Sequence, residues 1–403
     1  MRQLAPLLLG ALILSGCQEK LTSPADCPAL CPGGEPQIFD EVFSPIVGTD
    51  SSFRGYIQPF NSAALLLSNG LRGYEERAII RFLARSDSVE VRDTLRTYVI
   101  DSVAFGLTLV ARDTNATGLQ VQLYRLPRTL DSTTTYAQVD PAFVPENLVS
   151  TIAVPDSVNT GTLRAVIQGV DLARVAIPPA DSGVLGLGVR IDAPAPTGVR
   201  LGSSASGTGA VFITYATLNV PDTGAAKLRT FTLVTAFNSS LPAVQEADDS
   251  TLLTIGGSPS ARALLRFDLP ARIRDSATVV RATLELTPVA PISGLPTDPA
   301  RLRARAVLAD LGAKSPVESR FGVGVDTVEA GASGTVDIEI VRLMQQLWLA
   351  SSTRPTALTV ALAPELEAAS FSSPVFYSTR ASDPAVRPRL RVSYLLDFPF
   401  ENP

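Results

Sequence analysis

The sequence predicts an all-β protein with two tandem β-sandwiches, each with a short helix, behind an apolar N-terminal segment and a flexible tether. Short segments such as VVRATLEL at 279–286 alternate apolar with polar or small residues, which is the period of a half-buried strand. Clusters of Gly, Pro, Asp and Ser separate these segments, and the chain contains 28 glycines and 31 prolines. Many short strands between turns, with few helical patterns, are typical of sandwiches. A length of 403 residues fits two such domains.

The N-terminus is predicted to be an export signal covering residues 1–16. A positive start, Met1-Arg2, precedes an apolar stretch at 4–14 that is too short to span a bilayer comfortably. The stretch ends in LSGC at 14–17, which resembles the lipobox of bacterial lipoproteins; the alternative is an ordinary signal peptide with a chance cysteine. The resemblance implies that Cys17 is acylated and anchors the exported protein in a membrane. Gln18 follows where an Asp would retain such proteins in the inner membrane, which favours the outer membrane, on its periplasmic face or at the cell surface.

Residues 17–47 form the predicted tether. This stretch is rich in Pro, Gly, Ser and acidic residues, as expected for a spacer between a membrane and a folded domain. It holds the other two of the three cysteines, Cys27 and Cys31. With Cys17 acylated, an oxidising compartment favours a disulfide between Cys27 and Cys31, and two free thiols are the alternative.

Two copies of one module follow, predicted at 48–222 and 223–403. Similar segments recur in the same chain order, at spacings that drift by a few residues, as loop insertions between fixed strands produce. The matched pairs are FNS at 60–62 and 237–239, RAIIRF at 77–82 and RALLRF at 262–267, GTL at 161–163 and GTV at 334–336, LGLGV at 185–189 and LTVAL at 358–362, and FITY at 212–215 and RVSY at 391–394. We infer a tandem duplication with its boundary near residue 222.

Each module contains one segment with a helical pattern. The sequence IEIVRLMQQLWL at 338–349 begins as a strand, and its apolar residues then recur at helical spacing. We predict a short helix across one end of the second sandwich, with Trp348 on its apolar stripe, where packing in the core is favoured over the alternative of a sugar-binding platform. QGVDLARV at 168–175 is the weaker counterpart in the first module.

The second module, from about residue 227 to 398, resembles the DNRLRE-type domain, which is also classed as carbohydrate-binding module family 96. Three stretches carry the resemblance: ALLRFDL at 263–269 followed by VRATLEL at 280–286, VDIEI at 336–340 with the helix that ends in Leu347-Trp348, and FYS at 376–378 before RPRLRVSY at 387–394. The first module matches the family only through the internal repeat. The resemblance implies a jelly-roll-like β-sandwich on an extracellular bacterial protein, and some members of the family bind polysaccharides such as alginate.

The composition argues against several classes of function. The chain has no histidine, which excludes histidine-based triads, general bases and metal sites. A formal net charge of −5 and scattered arginines argue against a nucleic-acid partner. We predict no catalytic residue, no cofactor and no metal, because no motif for any of them is present. The acidic pairs Glu75-Glu76 and Asp248-Asp249 lack calcium-loop spacing and are interpreted as solvated loop charges.

Three residues are candidates for ligand binding: Arg81, Arg266 and Tyr377. The two arginines should point away from the phenylalanine that follows each of them, and a guanidinium suits the carboxylate or sulfate of an acidic glycan. An ion pair with a cross-strand acid is the alternative for each arginine. Alternation places Tyr377 on the opposite face from Phe376, either in a ligand groove or packed at a sheet edge.

These features predict a lipid-anchored protein of the cell envelope whose modules bind a polysaccharide or a surface partner without catalysis. An aromatic content of 6%, with one tryptophan, favours the alternative of a structural or adhesive surface protein with the sandwiches as spacers or assembly units. A polysaccharide lyase or hydrolase that uses tyrosine, arginine and carboxylates is the third hypothesis.

Overall fold

The computed structural model describes residues 37–73, 75–91, 93–177, 181–218, 227–243, 249–318, 323–350 and 357–396. Strands dominate this part of the chain and its helices are short, so the prediction of an all-β fold is confirmed. The predicted signal peptide, the acylation site Cys17 and the pair Cys27 and Cys31 lie outside the described residues and stay predictions. Within the described residues, no helix has the length and apolar character needed to cross a membrane.

The first sandwich is one 11-stranded sheet that folds over on itself. Its strands are β3 (Ala64–Asn69), β4 (Glu76–Phe82), β5 (Ser88–Val91), β6 (Thr94–Arg112), β7 (Gln120–Leu126), β8 (Leu148–Ala153), β9 (Gly161–Gln168), β10 (Gly186–Asp192), β11 (Thr197–Gly202), β12 (Val211–Leu218) and β13 (Lys227–Pro242). β13 joins the two layers, because its first half pairs with β12 and its second half pairs with β4. The rings of Phe82, Phe105 and Phe212 meet in the core between the layers. Along β12 every second residue is buried, as the alternating sequence predicts.

The second sandwich consists of two sheets with the orders β1-β22-β16-β19 and β18-β17-β20-β15-β2, and of the separate pair β14-β21. Its strands are β1 (Ile38–Phe43), β2 (Ser51–Arg54), β14 (Leu252–Thr254), β15 (Ala261–Asp268), β16 (Ala277–Leu286), β17 (Ala300–Ala306), β18 (Gly324–Val328), β19 (Val336–Glu339), β20 (Ala357–Pro364), β21 (Val375–Tyr377) and β22 (Arg389–Leu396). Their inner faces share one core, in which Phe267, Phe376 and Tyr394 are fully buried.

The helices are short and lie in the connections between strands. The α-helical segments are α1 (Tyr136–Val139), α2 (Ala271–Ser276) and α3 (Val341–Leu343), and α3 continues as a π-helix over Met344–Leu349. The 3-10 segments are Pro59–Asn61, Leu71–Gly73, Asp140–Ala142, Pro145–Asn147, Gly169–Val175, Ser204–Ser206, Gly312–Lys314 and Pro384–Val386. The helix predicted from the apolar stripe is present, and Trp348 is 4% exposed within the second core. Its predicted counterpart in the first half is the 3-10 segment Gly169–Val175.

The two sandwiches exchange their first strands. β1 and β2 precede the first sandwich in the chain, yet β1 pairs with β22 and β2 pairs with β15 of the second sandwich. In return, β13 follows the predicted boundary near residue 222, yet it pairs with β12 and β4 of the first sandwich. The same repeated segment takes part in both exchanges, since Arg77 lies opposite Leu241 of β13 and its sequence counterpart Arg262 lies opposite Phe53 of β2. The FNS match does not hold in the structure, because Pro59–Asn61 is a 3-10 segment whereas 237–239 lies in β13. Each sandwich is therefore completed by a segment from the other half of the sequence.

The strand exchange corrects the predicted tether. The prediction of a spacer up to residue 47 is wrong for β1, which is the edge strand of a sheet in the second sandwich. Phe39 and Phe43 lie on one face of β1 and pack against the second core, and this apolar burial outweighs the polar composition of the surrounding segment. Ser51–Arg54, within the predicted first module, likewise lies on the second sandwich.

Acid is predicted to weaken the docking of β1 through Glu41. The Glu41 carboxylate accepts hydrogen bonds from Arg272 and, at 2.8 Å, from the Tyr394 hydroxyl, and these bonds lower the pKa of Glu41. A lowered pKa in the folded state adds stability above the unfolded value of about 4.3, and this stability is lost as the pH falls through the folded value. We expect wild type to melt at a higher temperature than Glu41→Gln at neutral pH, and the two to converge in acid. A difference that does not change with pH contradicts the prediction.

A small buried cluster joins the two sandwiches. Leu66 on β3 packs with Leu295 and Phe371 from the second half of the chain. Beside this cluster, the Arg200 guanidinium on β11 donates a hydrogen bond to Oδ1 of Asp298 at 2.5 Å, and the Phe371 backbone N–H donates to the other oxygen of the same carboxylate. The side chains of Arg200 and Asp298 are only 9% and 5% exposed. An apolar contact and a buried charged hydrogen bond therefore connect the first sandwich to the second.

Glu76 corrects the interpretation of the Glu75-Glu76 pair as solvated loop charge. Glu76 is the first residue of β4 and is fully buried, and its Oε1 accepts a hydrogen bond from the Ser258 hydroxyl at 2.6 Å. Glu75 stays 43% exposed and forms an ion pair with Arg77 at 2.9 Å. The interpretation fails for Glu76 because the sheet begins there, and the pleat turns neighbouring side chains to opposite faces. Of the second acidic pair, Asp248 lies outside the described residues.

Candidate functional site

A groove with a volume of about 370 Å³ lies where the two sandwiches meet, and we call it the junction groove. Residues from 54–60 and Pro259 line its side toward the second sandwich, and residues from 132–136 and 239–242 line its side toward the first. The strand exchange creates this arrangement, because β2 carries the segment that follows it to the second sandwich while β13 brings 239–242 to the first. Clefts of this size at domain junctions are common ligand sites.

Tyr136 is a fixed aromatic side chain in the wall of the junction groove. Its hydroxyl donates a hydrogen bond to Oε2 of Glu75 at 2.9 Å, and the Arg77 guanidinium lies 4.6 Å from its ring centroid. Arg77 is itself held by ion pairs with Glu75 at 2.9 Å and Asp140 at 2.6 Å. Burial, together with the hydrogen bond to Glu75, raises the pKa of Tyr136 above its ordinary value. The phenol therefore stays neutral, and the orientation of its ring is set before any ligand arrives.

Phe60 is the second aromatic residue of the groove, and Arg81 supports the wall behind it. The Phe60 ring lies 6.1 Å from the Phe237 ring, and the Arg81 guanidinium lies 5.8 Å from the centroid of that same Phe237 ring. Arg81 also donates from NH1 to the carbonyl oxygen of Leu130 at 2.9 Å, next to the loop that forms the groove. Arg81 points away from the buried Phe82, as predicted, but among the described residues it makes no ion pair. Its contacts with the Leu130 carbonyl and the Phe237 ring support the wall of the groove.

The loop at 131–135 presents hydroxyl groups to the groove. The Asp131 carboxylate organises this loop by accepting hydrogen bonds from the Thr133 hydroxyl at 2.6 Å and from the Thr133 backbone N–H at 2.8 Å, and these bonds lower the pKa of Asp131. Thr135 begins α1, with its backbone N–H bonded to Oε1 of Gln138 at 2.8 Å. Ser132 lies exposed between these two anchors and lines the groove.

Arg266 forms an ion pair, which is the alternative to ligand binding that the sequence left open for this residue. Its Nε and NH2 atoms make a two-point contact with the carboxylate of Asp310, where the NH2 bond measures 2.7 Å, and NH1 donates to the carbonyl oxygen of Thr49. The acid lies in the loop after β17 rather than on a neighbouring strand. Its hydrogen bond raises the pKa of Arg266, so this guanidinium stays charged and engaged within the protein.

Tyr377 lies half-buried on β21, opposite Leu252 of β14. Phe376 is fully buried on the other face, as the alternation predicts. Arg81, Arg266 and Tyr377 therefore lie on three strands in separate surroundings, and the structure does not bring them together. Only Arg81 contributes to the junction groove, from behind its wall.

The groove residues Phe60 and Tyr136 are not among the candidates from the sequence, because both lie in connections without strand periodicity. The run STTTY at 132–136 is the signal that could have found them, since hydroxyl groups beside an aromatic ring are a common surface for polar ligands. The groove can stack a flat ligand face on an aromatic ring and exchange hydrogen bonds along its edge. In the described ranges, no three His, Cys, Asp or Glu side chains come together where they could hold a metal ion.

Fold and site define an all-β protein with a polar, aromatic-lined groove between two strand-exchanged sandwiches. No protein-family model matches the sequence, and no curated protein matches it at a significant level.

Proposed function

We propose that the protein is a lipid-anchored component of the cell envelope that binds a polysaccharide, without catalysis, at the junction groove. The supporting observation is the pair of aromatic side chains, Phe60 and Tyr136, that lines the groove beside a hydroxyl-bearing loop. The lipid anchor rests on the N-terminal sequence that ends in Cys17. The resemblance of the second module to a carbohydrate-binding family points to the same class of ligand.

A sugar ring would stack on Tyr136, with its hydroxyl groups directed at polar side chains such as Ser132 and Gln58. Because Tyr136 is already held by Glu75 and Arg77, little conformational entropy is lost when it receives a ligand. Charged groups of both signs border this surface, because Arg54 lines the groove and the exposed carboxylate of Asp131 begins the loop at 131–135. Neutral and uronate glycans are therefore both candidate ligands of this groove.

Replacement of Tyr136 by alanine is expected to weaken polysaccharide binding about tenfold, because loss of an aromatic stacking surface costs roughly 1 kcal/mol or more. The chain from residue 18 onward, which keeps every described residue, would be titrated with soluble neutral and uronate polysaccharides by calorimetry. Ser132→Trp obstructs the mouth of the groove from an exposed position and should also reduce binding. Tyr215→Ala, on β12 away from the groove, is the matched aromatic control and should bind like wild type.

Two results decide against this proposal. If no polysaccharide binds wild type, the function is wrong. If binding occurs and both Tyr136→Ala and Ser132→Trp bind like wild type, the site is wrong. Thermal melting of each variant separates a lost site from a lost fold, and Ser132→Trp removes no described core contact.

A structural or adhesive role is the second candidate function, and the strand exchange favours it. Each sandwich needs strands from the other half of the chain, so pulling on the chain loads both sandwiches together. A spacer or assembly unit benefits from such a connection. Concentration-dependent oligomers without glycan affinity would support this role over polysaccharide binding.

A further inference from the structure

We propose that the first sandwich contains a second binding site, around Arg85, for an amphipathic organic carboxylate. This site is separate from the junction groove and goes beyond the proposed function. A cavity of about 410 Å³ opens beside Arg85, and an adjoining recess of about 340 Å³ shares Arg85, Ile100 and Ile177 as walls. Each volume lies within the range of small-molecule pockets.

The backbone holds Arg85 in a fixed position at the end of the sheet. Its N–H donates to the carbonyl oxygen of Gly183 at 2.8 Å. Gly183 has a φ of +77°, and a Cβ atom added there would lie 2.3 Å from the carbonyl oxygen of Arg85, so only glycine allows this approach. The guanidinium then lies 5.7 Å from the ring centroid of Phe212, which covers one side of the cation.

The Arg85 guanidinium lacks an internal partner for its charge. NH1 is buried and has no hydrogen-bond acceptor, and no carboxylate in the described ranges forms an ion pair with Arg85. A buried guanidinium N–H without an acceptor is costly, and it leaves the charge of Arg85 uncompensated inside the protein. The side chain as a whole is half-buried and lines the cavity, so a ligand carboxylate there would meet its accessible part and supply the opposite charge. Burial also lowers the pKa of Arg85, which reports the same desolvation.

The surroundings select a singly charged ligand with an apolar body. Asp87 is exposed and lies on the cavity lining, where its charge opposes a doubly charged phosphate more than a carboxylate. The Tyr98 hydroxyl donates to the carbonyl oxygen of Ser86, and the Tyr98 ring lies 4.9 Å from that of Phe231, so this wall is rigid.

The adjoining recess supplies the apolar half of the site. Val103, Leu172 and Val175 line it, between β6 and the 3-10 segment Gly169–Val175. A carboxylate at Arg85 would therefore carry its hydrocarbon chain into this recess. Burial of each methylene group there should strengthen binding about fourfold.

Calorimetric titration of the chain from residue 18 onward with octanoate, octanol and inorganic phosphate tests the proposal. We expect octanoate to bind, octanol to bind about tenfold more weakly, and phosphate not to displace octanoate. Arg85→Gln should weaken octanoate binding about tenfold or more and remove the preference over octanol. Ala173→Trp, at an exposed position that lines the recess, should weaken both organic ligands. Arg164→Gln, an arginine on β9 bonded to Tyr215, is the matched control.

Several outcomes would overturn the assignment: no binding of octanoate to wild type, equal binding to Arg85→Gln, or equal affinity for octanoate and octanol. Displacement of octanoate by phosphate would reassign the site to phosphate and likewise overturn it. If Arg85→Gln does not fold, Ala173→Trp together with the octanoate and octanol comparison decides the result.

Discussion

Cleavage of the chain between β12 and β13 is expected to leave two fragments that stay associated, although neither folds alone. The fragment 18–222 keeps β1 and β2, which belong to the second sandwich, and lacks β13, which closes the first. The fragment 223–403 keeps β13, which belongs to the first sandwich, and lacks β1 and β2, which complete the second. Each sandwich would lose strand partners in both of its layers, and the loss should reach the stability of a whole domain, about 5–15 kcal/mol. Two independent tandem domains would instead give fragments that fold alone and do not stay associated.

A protease site inserted within 219–226 makes the experiment possible on the intact fold. After cleavage, the fragments should elute together in size-exclusion chromatography and separate only in denaturant. The matched comparison is a chain that ends within 244–248, because the fragment 18–246 retains β13. This fragment should show cooperative melting of the first sandwich, whereas the fragment 18–222 should not. Equal stability of the two fragments would show that β13 is dispensable and contradict the exchange.

Asp298→Ala is expected to lower the free energy of unfolding by about 3–5 kcal/mol, because it leaves a buried cation without its partner. Asp298 accepts hydrogen bonds from Arg200 at 2.5 Å, from the Ser370 hydroxyl at 2.8 Å and from the Phe371 backbone N–H at 3.3 Å. All three donors lie in the buried junction between the sandwiches. None of them can turn to water without opening that junction. Urea unfolding of the variant measures the loss.

The double variant Arg200→Met with Asp298→Ala tests whether the loss comes from the unpaired cation. Removal of the cation should recover part of the stability, so the two substitutions should be strongly non-additive. Glu285→Ala is the surface control, since Glu285 pairs with Arg391 at 2.8 Å while Arg391 is 47% exposed. It should cost less than about 1 kcal/mol. An Asp298→Ala variant that costs no more than this control would contradict a stabilising role for the buried pair.

Only part of the candidate site could be predicted from the sequence. The alternation around Phe82 and Phe267 correctly places Arg81 and Arg266 on the opposite face from the core. The sequence does not show that Arg266 meets Asp310, which is far along the chain, or that Arg81 supports a groove formed with β13. Tyr136 gains its role from Glu75 and Arg77, and no local pattern connects these residues.

The sequence by itself determined the all-β class, the positions and buried faces of alternating strands such as β12 and β16, and the helix that carries Trp348, but not the strand β1 in the predicted tether. These features depend on which residues alternate or recur, and that information is local. The tertiary structure alone decided which strands pair, so that β1 and β2 complete the second sandwich and β13 completes the first. It also decided the burial of Glu76 and the pairing of Arg200 with Asp298. Alternation shows that one face of a strand is buried but does not name the sheet that buries it, because strand pairing depends on contacts between distant parts of the chain.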